Sequence, residues 1–203
     1  MIKPLKNKDF LFEILPFSYY HQNDGVVVAC VLPKDTFKVL RFLRDSSLTK
    51  CEILSAISVV DYPERINRFE VVYELLSIRL NYRFRLKTAV NENTALESIA
   101  SLYPCSNWWE REAWDLFGVF FKNHPDLRRI LSDYGFEGHP LRKDFPLSGY
   151  IDLRYDENVK RVVFELVLGY CGWVHCSWPA CYLDIGHRDL HAASSSRRRV
   201  GPL

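Results

Sequence analysis

Glu110 and Glu112 stand two residues apart in a tryptophan-rich stretch, WWEREAWDLFG, and are the first candidates for chemistry in this chain. Two carboxylates can act as general acid and base when both reach one substrate. On a helix, residues i and i+2 point about 200° apart, so this pair cannot share one. Ion-paired structural carboxylates are the better reading. His124 and His139 each precede a proline, with no second His or Cys at ligand spacing nearby, which argues against a metal. His124 followed by Pro125 reads as a helix cap with proline in the first turn. Arg128-Arg129 and Arg142-Lys143 could bind phosphate, but interleaved acids favour pairing inside the protein or across an interface. Gly135, Gly138 and Gly149 match neither G-x-G-x-x-G nor a P-loop pattern. No catalytic, cofactor-binding or metal-binding residue is assigned.

A helix over residues 108 to 117 must position these groups. Asn107 has the chemistry of an N-cap, and Glu110 lies at capping-box spacing from it. Gly118 supplies a stop, because glycine takes the left-handed conformation on which helices often end. Trp108, Trp109, Ala113, Trp114, Leu116 and Phe117 leave almost no polar face, which predicts a buried helix. Glu110, Arg111, Glu112 and Asp115 ride on it and need counter-charges, for which Arg128, Arg129, Arg142 and Lys143 are the candidates. Beyond Gly118, prolines and glycines break the chain too often for long elements. Leu127, Ile130, Leu131, Phe136, Leu141, Phe145 and Leu147 are interleaved there. Such a segment is expected to drape over its own domain or over a partner.

Upstream, residues 25 to 32 (GVVVACVL) read as a strand and 34 to 47 as an amphipathic helix. Residues 51 to 60 read as a strand, and 67 to 77 with 82 to 90 as a hairpin. In its second strand Tyr82, Phe84 and Leu86 alternate with Arg83, Arg85 and Lys87, which predicts one wet face. Residues 94 to 103 read as a short helix, and 151 to 155 with 160 to 166 as a second hairpin. The fold class is α+β. One small mixed domain with two β-hairpins and flanking helices is followed by an extended, partner-wrapping segment. The expected divisions are an N-terminal segment 1–24, an α+β domain 25–118, the extended segment and hairpin 119–166, and a divergent tail 167–203.

A net charge of +2 over 203 residues gives no reason to invoke nucleic acid or an anionic membrane. Cys30, Cys51 and Cys105 are scattered in apolar surroundings and read as free thiols in a reducing compartment. The N-terminus carries neither a secretory nor a transit signature, so the protein is expected to work where it is made, in a bacterium or an organelle. Residues 166 to 183 hold no charged side chain, but Gly169, Gly172, His175, Ser177 and Pro179 argue against a membrane span. Cys171, Cys176 and Cys181 with His175, His187 and His191 match no common zinc spacing. Residues 192 to 203 read as a flexible basic tail.

Four runs carry a resemblance: Glu110-Arg111-Glu112, Asp115-Leu116-Phe117, His124 through Leu131 (HPDLRRIL) and Gly138 through Leu147 (GHPLRKDFPL). Val60-Asp61-Tyr62-Pro63, Arg68 through Tyr73, Arg154-Tyr155-Asp156 and Lys160 through Val163 extend it. Together they resemble the 30 kDa subunit family of respiratory NADH:ubiquinone oxidoreductase, complex I, which includes mitochondrial subunit 9 and its bacterial counterpart. The resemblance spans roughly residues 30 to 166. It implies a non-catalytic structural subunit of the peripheral arm, with FMN, iron–sulfur clusters and ubiquinone held by partner subunits. The partner implied is chiefly the quinone-site subunit of the 49 kDa type. The place implied is the matrix side of the mitochondrial inner membrane, or the cytoplasmic face of a bacterial inner membrane, peripheral and not spanning. The implied clamp residues are Trp109, Glu110, Arg111, Glu112, Asp115, His124, Arg128, Arg129, His139, Arg142, Lys143 and Asp144. The equivalent subunit of a membrane-bound hydrogenase or a non-NADH proton-pumping oxidoreductase shares the signature. The family's acidic, aromatic tail is missing after Leu166, so residues 168 to 203 read as a divergent terminus from a shifted frame or unprocessed transcript.

Overall fold

A computed structural model describes residues 14–23 and 26–166. The expectations about residues 168–203, including the cysteine and histidine set and the basic tail, lie outside the described residues.

The chain divides after Tyr150 into two units. The first is built on a five-stranded sheet in the order β1-β2-β5-β4-β3. Its strands are β1 (Phe17–Asn23), β2 (Val26–Val31), β3 (Ile53–Asp61), β4 (Phe69–Ser77) and β5 (Tyr82–Val90). Only β2 and β5 run parallel; the other neighbours are antiparallel. In β5, buried Tyr82, Phe84, Leu86, Thr88 and Val90 alternate with more exposed residues, as a sheet with one packed face requires. Phe69, Val71, Tyr73 and Leu75 of β4 line the same core. Helix α1 (Thr36–Asp45) adds Val39, Leu40 and Leu43 at helical spacing. Helix α2 (Ser106–Phe117) packs against β3.

Residues 1–24 are expected from the sequence to be a segment outside the domain, yet Phe17–Asn23 pairs with β2 at the edge of the sheet. The run FSYYHQN lacks strict alternation, so its strand character comes from the neighbour that hydrogen-bonds it. The helix expected over 94 to 103 does not form. Leu96–Glu97 is a two-residue strand, β6, paired in parallel with β7 (Phe121–Lys122). Turns follow, in which the amides of Leu102 and Tyr103 both donate to the Ile99 carbonyl. Leu96, Ile99, Leu102 and Tyr103 all reach the core from this irregular path. Their spacing would also fit one face of a helix, which is why the sequence reads as one.

After β7 the chain is irregular to Tyr150, and most of it is tied to its own domain by hydrogen bonds. The second unit contains a hairpin of β8 (Ile151–Asp156) and β9 (Arg161–Leu166). Among the described residues, no helix is long and apolar enough to cross a membrane.

Candidate partner interface

Helix α2 inverts its expected arrangement. Its buried residues are Ser106, Glu110, Arg111, Ala113 and Asp115, while Trp108 is 64% exposed and Trp109 only partly buried against the core. The charged side of the helix faces inward. The helix begins after Cys105, so Asn107 lies in the first turn and is not its N-cap. Its buried side-chain oxygen accepts no hydrogen bond among the described residues. Gly118 does end the helix in the left-handed region, at φ 80°.

Glu110 makes no capping box and meets no arginine or lysine among the described residues. Its Oε2 accepts the Ser98 hydroxyl at 2.6 Å and its Oε1 the Ile99 amide at 2.8 Å. The His124 imidazole, also fully buried, lies 3.7 Å away. The Asp126 amide donates to His124 Nδ1, so the proton sits on Nε2, which donates to the Asn107 carbonyl at 3.2 Å. His124 thus ties the start of the irregular segment to helix α2; no helix follows Pro125. Burial pushes the Glu110 carboxyl above its ordinary value, with the Ser98 and Ile99 bonds offsetting part of that.

Asp115 is satisfied more completely. One oxygen accepts the amides of Ile130, Leu131 and Ser132, at 3.2, 2.8 and 2.9 Å. The other accepts the Ser132 hydroxyl and the Arg129 guanidinium, the latter at 3.1 Å. Burial alone would raise this carboxyl. The Ser132 hydroxyl and the amides of Ser132, Leu131 and Ile130 outweigh it and hold the group down at about 2. Arg129 also donates to the Gly138 carbonyl at 2.9 Å, linking two stretches of the irregular segment.

The C-terminus of helix α2 exposes carbonyls that need donors. His139 Nδ1 donates to the Asp115 carbonyl at 2.9 Å, the Leu141 amide to that of Leu116 at 3.1 Å, and Arg142 Nε to that of Phe117 at 2.6 Å. The guanidinium also complements the negative end of the helix dipole. Burial lowers the His139 pKa, and Arg142 and Arg129 lower it further. A Cβ at Gly118 would meet Arg142 Nη2 at 2.5 Å and His139 Nε2 at 2.6 Å, so only glycine suits this closure.

A second knot joins the segment to the sheet. Arg68 forks onto both oxygens of buried Asp61 at 2.7 and 2.8 Å. The same guanidinium reaches Glu92 at 2.7 Å and Asp144 at 3.0 Å. The Lys143 amide donates to Asp61 at 2.8 Å, and Arg142 comes within 3.8 Å of Glu92. Arg68, Asp61 and Glu92 are not among the site residues expected from the sequence. Asp61 and Arg68 fall within the signature runs, but nothing in their spacing marks them as a hub.

Asp115 with Arg129, and Asp144 with Arg68, thus find their charges within the chain. The expectation that every charge on helix α2 meets an arginine or lysine fails elsewhere. Glu112 is half-buried and makes no ion pair among the described residues. Arg111 donates to the Arg128 carbonyl at 3.3 Å instead of to a carboxylate. Arg128 pairs with neighbouring Asp126 at 2.9 Å on an exposed surface, and the Lys143 side chain is exposed. Sequence reasoning leaves open whether residues 119–150 drape over their own domain or a partner. They are laced to their own domain, while Leu131, Tyr134, Leu141 and Leu147 remain 51% exposed or more. Among the described residues, no group of three or more His, Cys, Asp or Glu could hold a metal ion.

Sheet, helix and strap together define a small α+β scaffold domain whose signature residues bind one another. The chain belongs to the family described as respiratory-chain NADH dehydrogenase, 30 kDa subunit, whose pattern it matches over residues 29–151. It is 58% identical over 147 residues to NADH-ubiquinone oxidoreductase subunit 9 of Prototheca wickerhamii, covering 72% of this chain and 76% of that one. It is 60% identical over 129 residues to NADH dehydrogenase [ubiquinone] iron-sulfur protein 3 of Solanum tuberosum, covering 64% and 68%. A chain of the archaeal membrane-bound sulfane sulfur reductase shares the fold with TM-score 0.60 at 24% identity, over 78% of this chain and 99% of that one.

Proposed function

We propose that this chain is a non-catalytic structural subunit of the peripheral arm of complex I. It holds the quinone-site subunit of the 49 kDa type, and the iron–sulfur subunits beside it, in register for electron transfer from NADH to ubiquinone coupled to proton translocation. FMN, clusters and ubiquinone belong to those partners. The chain sits on the matrix side of the mitochondrial inner membrane without spanning it.

One observation carries this reading. Segment 119–150 has little regular structure, yet Asp115, Arg68 and the closure of helix α2 fix its path while large apolar side chains face outward. A rigid backbone presenting apolar side chains is what a docking surface needs, because little conformational entropy remains to be lost on binding. Rigid positioning is what electron transfer between fixed cofactors requires. The two sequence relatives, from Prototheca wickerhamii and Solanum tuberosum, carry NADH-linked names, which favours an NADH-linked assembly over the hydrogenase alternative.

Native separation of the membranes tests the proposal. The chain is expected to migrate with a large assembly that oxidises NADH and reduces quinone, and the isolated chain to turn over nothing. A soluble monomer with hydrolytic activity of its own would overturn it.

A further inference from the structure

Beside helix α2, Trp108, Arg111, Arg128, Ile130, Asp133 and Tyr134 line a groove of about 490 Å³. Arg111 is the unusual member. It is only 8% exposed, its Nε bonds a backbone carbonyl, and its guanidinium lies 5.0 Å over the Trp108 ring. Among the described residues no carboxylate lies within ion-pair distance of it. Arg129, by contrast, is held by Asp115, and Arg128 by Asp126. A guanidinium so far withdrawn from water, with no carboxylate on its terminal nitrogens among the described residues, is an incomplete ion pair. At the rim, Trp108 and Tyr134 stand 64% and 103% exposed. Arginine and exposed aromatics are the side chains most enriched where binding energy concentrates in interfaces.

We infer that this groove docks an acidic segment of a neighbouring subunit, with one Asp or Glu carboxylate paired to Arg111 and an apolar side chain against Trp108 and Tyr134. Charge complementarity selects the occupant: of the three arginines that line the groove, Arg128 and Arg129 are already paired with Asp126 and Asp115, and Arg111 alone lacks a carboxylate among the described residues. A carboxylate matches the planar guanidinium fork at two points, which an amide or hydroxyl cannot do. This inference rests on the structural-subunit reading and gives that reading a named contact.

The test uses the purified complex carrying the R111K variant. Carbodiimide joins an amine directly to a carboxylate, so it captures only a pair already in contact. A cross-link from position 111 to an Asp or Glu of another subunit is expected. In a second arm, W108M and R111M should each weaken retention of the chain in the complex by about tenfold or more under a salt and detergent challenge. A cross-link only to this chain's own acids, to a second copy of it, or to nothing in a normally assembled complex would overturn the docking site and leave the structural-subunit reading standing. A wild-type chain absent from any large assembly would overturn both.

Discussion

Arg142 Nε donates to the Phe117 carbonyl at 2.6 Å, so the last turn of helix α2 is closed by a side chain 25 residues further on. Together with His139 and Leu141 it converts an irregular strap into part of the helix it follows.

Gly118 is the floor of that closure. G118A would combine a strained φ of 80° with a Cβ against Arg142 and His139. It is expected to cost about 2 to 4 kcal/mol. Denaturant unfolding of the chain should show it as a lower midpoint at unchanged slope.

Asp115 gives a pH signature. Its carboxyl is held at about 2, below the ordinary 3.8. A depressed carboxyl contributes stability above its unfolded value and loses it as pH falls through the folded one. The contribution is roughly 2 kcal/mol, lost between about pH 4 and pH 2. D115N should be less stable at neutral pH, and its loss of stability below pH 4 should be shallower. Parallel acid-unfolding curves for the two proteins would refute this account.

Glu110 behaves oppositely. Its pKa is raised by burial, so ionisation opposes folding above that value, and the penalty disappears as pH falls below it. E110Q keeps an acceptor for the Ile99 amide, and Ser98 can reverse its hydroxyl to meet the new NH₂ group. Its stability at pH 7 is expected within about 1 kcal/mol of wild type, whereas E110A leaves a cavity and an unpaired amide and should cost about 2 to 4 kcal/mol.

Arg68 faces Asp61, Glu92 and Asp144 at once. R68M strands a fully buried Asp61, and removing one partner of such a pair costs about 3 to 5 kcal/mol. R68K restores charge but cannot fork, so only partial recovery is expected, measured as the thermal midpoint of the chain.

Charge reversal at the strap, R142E with K143E, is expected to block assembly and lower NADH:quinone activity in proportion. Normal complex levels with an altered quinone affinity would point instead to a direct catalytic role.

Much of the fold was legible in local pattern. Alternation in β5, the apolar spacing of α1, the β4–β5 hairpin and the Gly118 stop are short-range properties, because side-chain direction repeats every two or 3.6 residues. Four charges on a tryptophan-rich helix could also be read as needing partners. Which side of that helix turned inward could not. Composition ranks tryptophan as buried and glutamate as exposed, but the Ser98 hydroxyl, the Ile99 amide and three successive amides at 130–132 make the carboxylate side the better-satisfied interior.

The sequence by itself determined most of the element types, though neither β1 nor the irregular path of 94–103, together with the family and the residues held in its signature. Only the tertiary structure decided how those residues pair. Arg68 meets Asp144 across 76 residues, and the Lys143 amide meets Asp61 across 82. Local spacing carries no information about such contacts, because a buried charge accepts whichever donors the folded chain brings within about 3 Å, and those need not be its neighbours or its opposite charges.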